Sequence, residues 1–595
     1  MRHARAVSAF VLALAAPAAM AEAKKEPAGP DPAAVEYQFD VRIPMRDGVK
    51  LHASRYSPKG QKEGLPCVFT LTPYVADSYH ERGMYFAANG YVFLLVDARG
   101  RGLSEGEFNP DTQEAHDGPD IVEWLARQPS CNGKVAMWGG SYAGEDQWVT
   151  AKGLPPHLAT IVPAAAAKSG VDFPMASNIS YPYTVQWLSL VSGKAKQEAI
   201  FGDSKFWQAK YRELYLAHRP FAELDQLVGN PLPRFQVWVA HPTFDAYWEA
   251  CGATPQQFEG MKFPVLSITA SYDDDQPGAL AWYKDYMRHA TKSARDKHYL
   301  IIGPWDHAGT RTPKSEVGGV KFSDAALVDL NKLHKQWYDW TMKSGKKPEF
   351  LKDKVAYYVT GADQWRYAPS LEAVTARSDA FYLQSNGAGS NSVFASGWLS
   401  PQAPKGAAAD HYVYDPLDTT PGKEEVLDEE RYLVDQTDTV KNLTHALIYH
   451  TQPFETDTEV SGFFKLSVWL ALDQPDTDFR AEVWEVLADG TAVRLTADLL
   501  RARYRESLAA EKLVPKNEVL RYDFERFTFI SRLVKKGSRL RLVFGPINSI
   551  YTEKNYNSGG VVAQESGKDA RTVTVTLVQD PQHPSALYVP VAAAR

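Results

Sequence analysis

From residue 37 to about 340, short and nearly continuous apolar runs alternate with stretches in which apolar residues recur every three or four positions. The continuous runs, at 67–71, 91–96, 135–138, 158–162, 264–268 and 299–302, predict strands buried on both faces, as in a parallel sheet. The spaced patterns, such as Ile121, Trp124 and Leu125 or Leu280, Trp282, Tyr283, Tyr286 and Met287, predict amphipathic helices between them. Asp47-Gly48, set between alternating runs at 37–44 and 49–56, predicts an opening hairpin. Strands and helices in this order make a doubly wound α/β sheet.

The alternation breaks between about 172 and 261, where Tyr181, Tyr183, Trp187, Phe201, Trp207, Phe235, Trp238, Tyr247 and Trp248 crowd a helical pattern. An insertion between two strands of an open sheet lies over the strand ends, where such sheets bind ligands, so the segment is expected to form a cap. The same rings can also supply the insertion's own core. After a helix-like stretch at 324–342, the Gly/Lys/Pro-rich residues 343–348 close the first unit. β-type runs then follow at 355–360, 380–383, 411–414, 463–470, 479–487, 527–530, 540–544 and 572–577. Many strands between Gly, Pro and Asp turns predict a sandwich or jelly roll. The expected division is an α/β unit over 34–345, with its cap at about 172–261, and an all-β unit over 352–595.

Composition narrows the possible partners. With 65 basic against 72 acidic residues and a net charge of −7, the chain of 595 residues has no electrostatic reason to seek nucleic acid or anionic lipid. Three cysteines, Cys67, Cys131 and Cys251, are too few and too scattered for a disulfide framework or a Cys-rich metal site. At the N-terminus, basic Met1-Arg2-His3-Ala4-Arg5 precedes an apolar run and Ala19-Met20-Ala21, the pattern of an export signal cleaved near residue 21; Ala21-Glu22-Ala23 is an equally legal cut. The run is shorter than the ~20 residues that span a bilayer, so a periplasmic or secreted protein without a membrane span is expected.

The chemistry concentrates at 135–144, Val-Ala-Met-Trp-Gly-Gly-Ser-Tyr-Ala-Gly, where a strand turns sharply into a helix at Ser141. Small residues are needed because backbones approach closely there, and the turn leaves the Ser141 hydroxyl exposed as a nucleophile. The amide of Tyr142 falls at a helix start, where unpaired N–H groups favour an oxyanion. Ala143 stands where the motif usually has its second glycine. A serine hydroxyl needs a base held by a carboxylate, and this fold orders them Ser, acid, His. Ser271-Tyr272-Asp273-Asp274-Asp275 follows one late strand and Gly303-Pro304-Trp305-Asp306-His307 the next. The expected triad is Ser141, His307 as base and then acid, and Asp273 orienting the imidazole. Asp306 is the rival acid, but adjacent side chains rarely converge. Arg99-Gly100-Arg101-Gly102 lacks a phosphate-loop lysine and reads as turn chemistry. No cofactor or metal is implied.

These residues resemble the CocE/NonD-type serine hydrolases, which include cocaine esterases, α-amino-acid ester hydrolases, glutaryl-cephalosporin acylases and, more distantly, X-prolyl dipeptidyl peptidases. The resemblance spans nearly the whole mature chain. It is carried by Ile43-Pro44-Met45-Arg46-Asp47-Gly48, Thr72-Pro73-Tyr74, Asp97-Ala98-Arg99-Gly100-Arg101-Gly102, Gly139-Gly140-Ser141-Tyr142-Ala143-Gly144, His241-Pro242-Thr243-Phe244-Asp245-Ala246-Tyr247-Trp248, Tyr272-Asp273, Gly303-Pro304-Trp305-Asp306-His307 and Arg503-Tyr504-Arg505-Glu506-Ser507. It implies an α/β-hydrolase domain with a helical cap and a C-terminal jelly roll. It also implies that Tyr74 completes the oxyanion hole with its hydroxyl.

In the α-amino-acid ester hydrolases, clustered carboxylates hold a substrate ammonium group. Asp172, Asp274 and Asp275 occupy similar neighbourhoods here, and Trp248 is placed with them on the substrate side. The family's acidic pair falls two and three residues after the catalytic Asp, at Asp275 and Gln276, so one carboxylate is missing. The expected function is hydrolysis of ester or amide bonds of acyl, preferentially α-amino-acyl, substrates through an acyl-enzyme. Removal of X-Pro dipeptides is the alternative. A carbohydrate-binding or scaffold protein with a relic hydrolase half is the reading from another class, against which the complete triad argues. The expected partner is a small ester, amide or peptide, with a homo-oligomer left open.

Overall fold

The alternation is realised as a ten-stranded sheet in a computed structural model that describes residues 31–425 and 430–593. The expected export segment therefore lies outside the described residues. Among the described residues no helix is long and apolar enough to cross a membrane. The strands are β1 (Val35–Pro44), β2 (Lys50–Pro58), β3 (Leu65–Thr72), β4 (Val92–Asp97), β5 (Cys131–Gly140), β6 (Leu158–Ala164), β7 (Val265–Tyr272), β8 (His298–Asp306), β9 (Val355–Val359) and β10 (Gln364–Ala368). Their order across the sheet is β1-β2-β4-β3-β5-β6-β7-β8-β9-β10. β1 and β2 form the expected hairpin, with Ile43 opposite Leu51. From β4 to β9 all pairings are parallel, and β10 returns antiparallel.

Helices cover both faces. Phe86 and Ala87 of α1 (His80–Ala88) pack with one apolar cluster, and Ile121, Val122 and Leu125 of α2 (Glu114–Ala126) and Trp148 of α3 (Tyr142–Ala151) with another. The insertion between β6 and β7 is helical as expected and includes α4 (Tyr183–Leu190) and α5 (Ser204–Leu216). Its aromatics form a core that also takes in Tyr74 and Tyr142 from the strand ends and Ile550 and Ala563 from the C-terminal domain. The cap is thus fixed to both neighbours by apolar burial. α6 (Gln276–His289) then packs Trp282 and Tyr286 beside Trp148. On the opposite face, α7 (Leu330–Met342) starts at Asp329, whose side chain accepts from the amide of Lys332, and buries Leu330, Leu333, Trp337 and Tyr338.

The first sheet extends past residue 345. Residues 355–360 read as the first β-type run of the second unit, but β9 and β10 complete the first sheet, and the second sheet starts at Arg377–Gln384. The reason lies in Val355–Val359, buried at every position as an interior parallel strand must be. The Gly/Lys/Pro stretch before it is the loop of one more strand–helix–strand crossover. The C-terminal domain is β-rich, with thirteen hydrogen-bonded strands among the described residues around a large apolar cluster.

Two polar clamps tie the domains together. Gln276, at the start of α6, donates to the carbonyls of Ala270 and Phe529 at 2.9 and 3.0 Å and accepts from the amide of Phe529 at 2.6 Å. Arg501 bonds Asp478 at 2.8 and 3.0 Å, Glu553 at 2.8 Å and the carbonyl of Asn178 in the insertion at 3.0 Å. Removing one partner of a buried ion pair leaves uncompensated charge, which costs about 3–5 kcal/mol. Arg501→Leu is accordingly expected to lower the urea midpoint of unfolding markedly. An unchanged midpoint contradicts this.

Candidate active site

Ser141 stands where β5 turns into α3, at φ 63° and ψ −134°, a conformation costly for a residue with a side chain. The turn has no room for bulk. A Cβ on Gly139 would lie 2.7 Å from the carbonyl oxygen of Ala143, and one on Gly144 2.7 Å from that of Ala164. Ala143 fits in place of the usual glycine because Gly139, facing it, has no side chain. The Ser141 amide donates to the carbonyl of Ala164 at 3.0 Å, which ties the turn to β6. The Tyr142 amide opens the first turn of α3, whose N–H groups have no carbonyl partner within the helix.

Tyr74 follows the end of β3. Its amide donates to Thr72 Oγ1 at 3.1 Å. Arg101 holds the loop: its Nε donates to the carbonyl of Pro73 at 2.7 Å, while its other nitrogens donate to the carbonyls of Gly193 and Ala195 in the cap. The basic Arg99–Gly102 turn gave no sign of that role, because its partners are distant backbone carbonyls. The Tyr74 hydroxyl lies 3.1 Å from Ser141 Oγ and receives the indole N–H of Trp187 at 3.2 Å. Burial pushes the Tyr74 phenol above its ordinary pKa, so it keeps its proton.

The loops after β7 and β8 bring Asp273 and His307 together. His307 Nδ1 lies 2.8 Å from Asp273 Oδ1, whose side chain is fully buried, while the His307 side chain is 34% exposed and so accessible to a ligand. Asp273 is fixed by Thr269 Oγ1 at 3.1 Å and the amide of Asp275 at 3.1 Å. Asp306 turns away, accepting from the amide of Gly309 at 2.7 Å and pairing with Lys314 at 3.3 Å. Ser141 Oγ is bonded to Tyr74 rather than to His307 in this structure. Burial disfavours a charged His307 ring, but Asp275, whose carboxylate is 3.6 Å from Nδ1, and Asp273 outweigh burial and an opposing Arg311, and the imidazole pKa rises.

The expected substrate residues divide. Asp274 is exposed and Asp275 partly so, with Asp275 3.6 Å from His307. Asp172 and Trp248 are buried and hydrogen-bonded within the protein. Both Asp172 oxygens accept backbone amides, from Lys168 at 2.9 Å and from Gly278 in the first turn of α6 at 2.6 Å. Trp248 is 1% exposed, and its indole N–H is spent on the carbonyl of His241 at 2.9 Å. Gln276, where the family has a second acid, serves the domain clamp.

Behind Tyr142 lies a feature not visible in the spacing, a set of carboxylates: buried Glu114, Glu145 and Asp146, and partly buried Asp111. The Tyr142 phenol donates to Glu114 at 2.8 Å and accepts from the amide of Asp111 at 2.9 Å. Burial raises all four, Asp111 to about 6 and Glu114 to about 7. Only Glu145 and Asp146 lie near Ser141 in sequence, on a helix buried at all ten positions.

Sequence comparison assigns residues 47–309 to the profile of the X-Pro dipeptidyl-peptidase (S15 family) and residues 350–587 to that of the X-Pro dipeptidyl-peptidase C-terminal non-catalytic domain. The chain is 26% identical over 590 residues to a cocaine esterase of Rhodococcus sp. (strain MB1 Bresler), an alignment covering 93% of this chain and 98% of the relative. Among solved structures, an aminopeptidase from the marine sediment archaeon Thaumarchaeota archaeon superposes with a TM-score of 0.80 at 22% identity, covering 96% of this chain and 98% of the other. An α-amino acid ester hydrolase superposes with a TM-score of 0.80 at 21% identity, covering 96% and 99%.

Proposed function

We propose a specific reaction for a chain that belongs to the CocE/NonD and X-Pro dipeptidyl-peptidase (S15) group of serine hydrolases: cleavage of acyl esters, with α-amino-acyl esters favoured, through an acyl-enzyme on Ser141. The observations that carry it are a strained serine at the end of β5 with a phenol 3.1 Å from its hydroxyl, and an imidazole 2.8 Å from a buried carboxylate on the loops after β7 and β8 of the same sheet. In this reading His307 Nε2 takes the Ser141 proton as Oγ attacks the acyl carbon, and Asp273 stabilises the imidazolium. The Tyr74 hydroxyl and the Tyr142 amide receive the oxyanion. His307 then gives the proton to the departing alkoxide, and an attacking water repeats the cycle in reverse to free the acid.

The preference for an ammonium group rests on Asp275, 3.6 Å from His307, and on exposed Asp274 beside it in the loop after β7. Charge-assisted hydrogen bonds support about tenfold discrimination. A panel of matched aminoacyl esters, plain acyl esters and Gly-Pro and Ala-Pro anilides tests the reading. Faster turnover of aminoacyl esters is expected. Equal turnover of the two esters removes the ammonium preference, and dominant anilide cleavage transfers the function to X-Pro dipeptide removal, which the family profiles favour as the second reading. Export rests on residues 1–21 and is tested by the N-terminal sequence of the mature protein.

The pH dependence follows from His307. Its pKa is raised, so a protonated, inactive ring persists to higher pH than in a free imidazole. The acidic limb of kcat/KM is expected to have its midpoint above about 6.5. A midpoint below that value contradicts the assignment of His307 as base.

A further inference from the structure

The Tyr74 hydroxyl has two recorded partners of unlike character. Ser141 Oγ, at 3.1 Å, can donate or accept; the indole of Trp187, at 3.2 Å, can only donate. A phenol oxygen that already accepts from an indole is most readily satisfied by giving its own hydrogen to the other neighbour. The order is then Trp187 N–H to Tyr74, and Tyr74 O–H to Ser141 Oγ, which leaves the serine hydrogen free to point towards a base. Without the indole, Tyr74 can equally accept from Ser141, and the serine hydrogen is turned away from His307.

We propose that Trp187, a residue of the cap helix α4, is a positioning residue that sets the direction of this hydroxyl chain and so prepares both the nucleophile and the oxyanion hole. The inference rests on Ser141 and Tyr74 acting as proposed above. Trp187 is 5% exposed, which leaves it almost no surface to offer a substrate. Its ring is held among Tyr142 at 5.3 Å, Phe173 at 5.1 Å and Trp238 at 6.4 Å between centroids, so the N–H edge is aimed by packing. As Ser141 Oγ attacks, its proton passes to His307, the carbonyl π pair moves to oxygen, and the Tyr74 O–H turns from Oγ to the new oxyanion. Tyr74 keeps its proton throughout, and the indole still fills its acceptor side.

The test is a double-mutant cycle in the full chain with a plain acyl ester. Trp187→Phe is expected to lower kcat about five- to tenfold, the worth of one ordinary hydrogen bond, with KM nearly unchanged. In a Tyr74→Phe background the same substitution is expected to have no further effect, because the group it positions is gone. Equal losses in both backgrounds, or a loss confined to KM, overturn the inference and leave Trp187 as packing or as a substrate contact. Trp187→His, which retains a ring N–H on a smaller ring, is the second variant: it recovers part of the lost kcat if donation matters, and no recovery counts against the proposal. Failure of the broader reading is read separately from the Ser141→Ala variant, since an active Ser141→Ala enzyme removes the nucleophile itself.

Discussion

Replacing Ser141 with alanine is expected to lower kcat/KM for an activated ester by about 10,000-fold or more, and to abolish covalent labelling by a phosphonate. The size follows from the role. A nucleophile has no substitute among neighbouring side chains, and removing it also idles the base and its carboxylate, so the loss approaches that of the whole triad. What survives is transition-state binding by the oxyanion donors. The backbone at 141 should tolerate the change, because alanine at φ 63° has a cost similar to serine's and the anchoring bond, from the amide to Ala164, is unaffected. Initial rates with a p-nitrophenyl ester and intact-protein mass spectrometry after phosphonate treatment are the measurements. Activity near the wild-type level, or phosphonate attached to another residue, places the nucleophile elsewhere.

The second large effect is at Tyr74. Tyr74→Phe removes one hydroxyl from a buried position and leaves the ring that packs with the cap core. An oxyanion donor in a dry, preorganised site contributes about 100- to 1,000-fold to kcat, and a loss of that order is expected with little change in KM. The phenol's partners sharpen the expectation. Its own proton is retained because burial raises its pKa, so its donation does not switch off at moderately alkaline pH. A tyrosine that merely packed after a strand would show less than about a threefold loss on the same substitution, within the cost of a surface hydrogen bond.

Much of this architecture was legible in the chain because it depends on local rules. A strand buried on both faces must be continuously apolar, and a sharp turn exposing a serine must be lined by small residues; both leave signatures a few residues long. His307 and Asp273 could be selected because each directly follows a strand in the order the topology requires. The pairing of 355–359 with the first sheet was not legible because a crossover loop and an interdomain linker share the same Gly, Lys and Pro composition, while only pairing distinguishes them. Asp172 and Trp248 were placed on the substrate side by resemblance, which does not reveal whether a side chain's polar atoms are already spent. Asp172 caps a helix more than a hundred residues away, and Trp248 is closed in by Gly170 and His241.

What the sequence by itself determined, then, is the set of chemical groups and the local geometry of each: the strained turn at Ser141, the helix start behind it, the strand-end loops that carry Asp273 and His307. What only the tertiary structure decided is which groups face one another. The indole on Tyr74, the guanidinium of Arg101 bridging the Tyr74 loop and the cap, and the carboxylates gathered behind Tyr142 join residues separated by up to 113 positions. The physical reason is that a hydrogen bond between distant segments leaves no periodicity or composition along the chain. Its direction is set by the packing of everything around it.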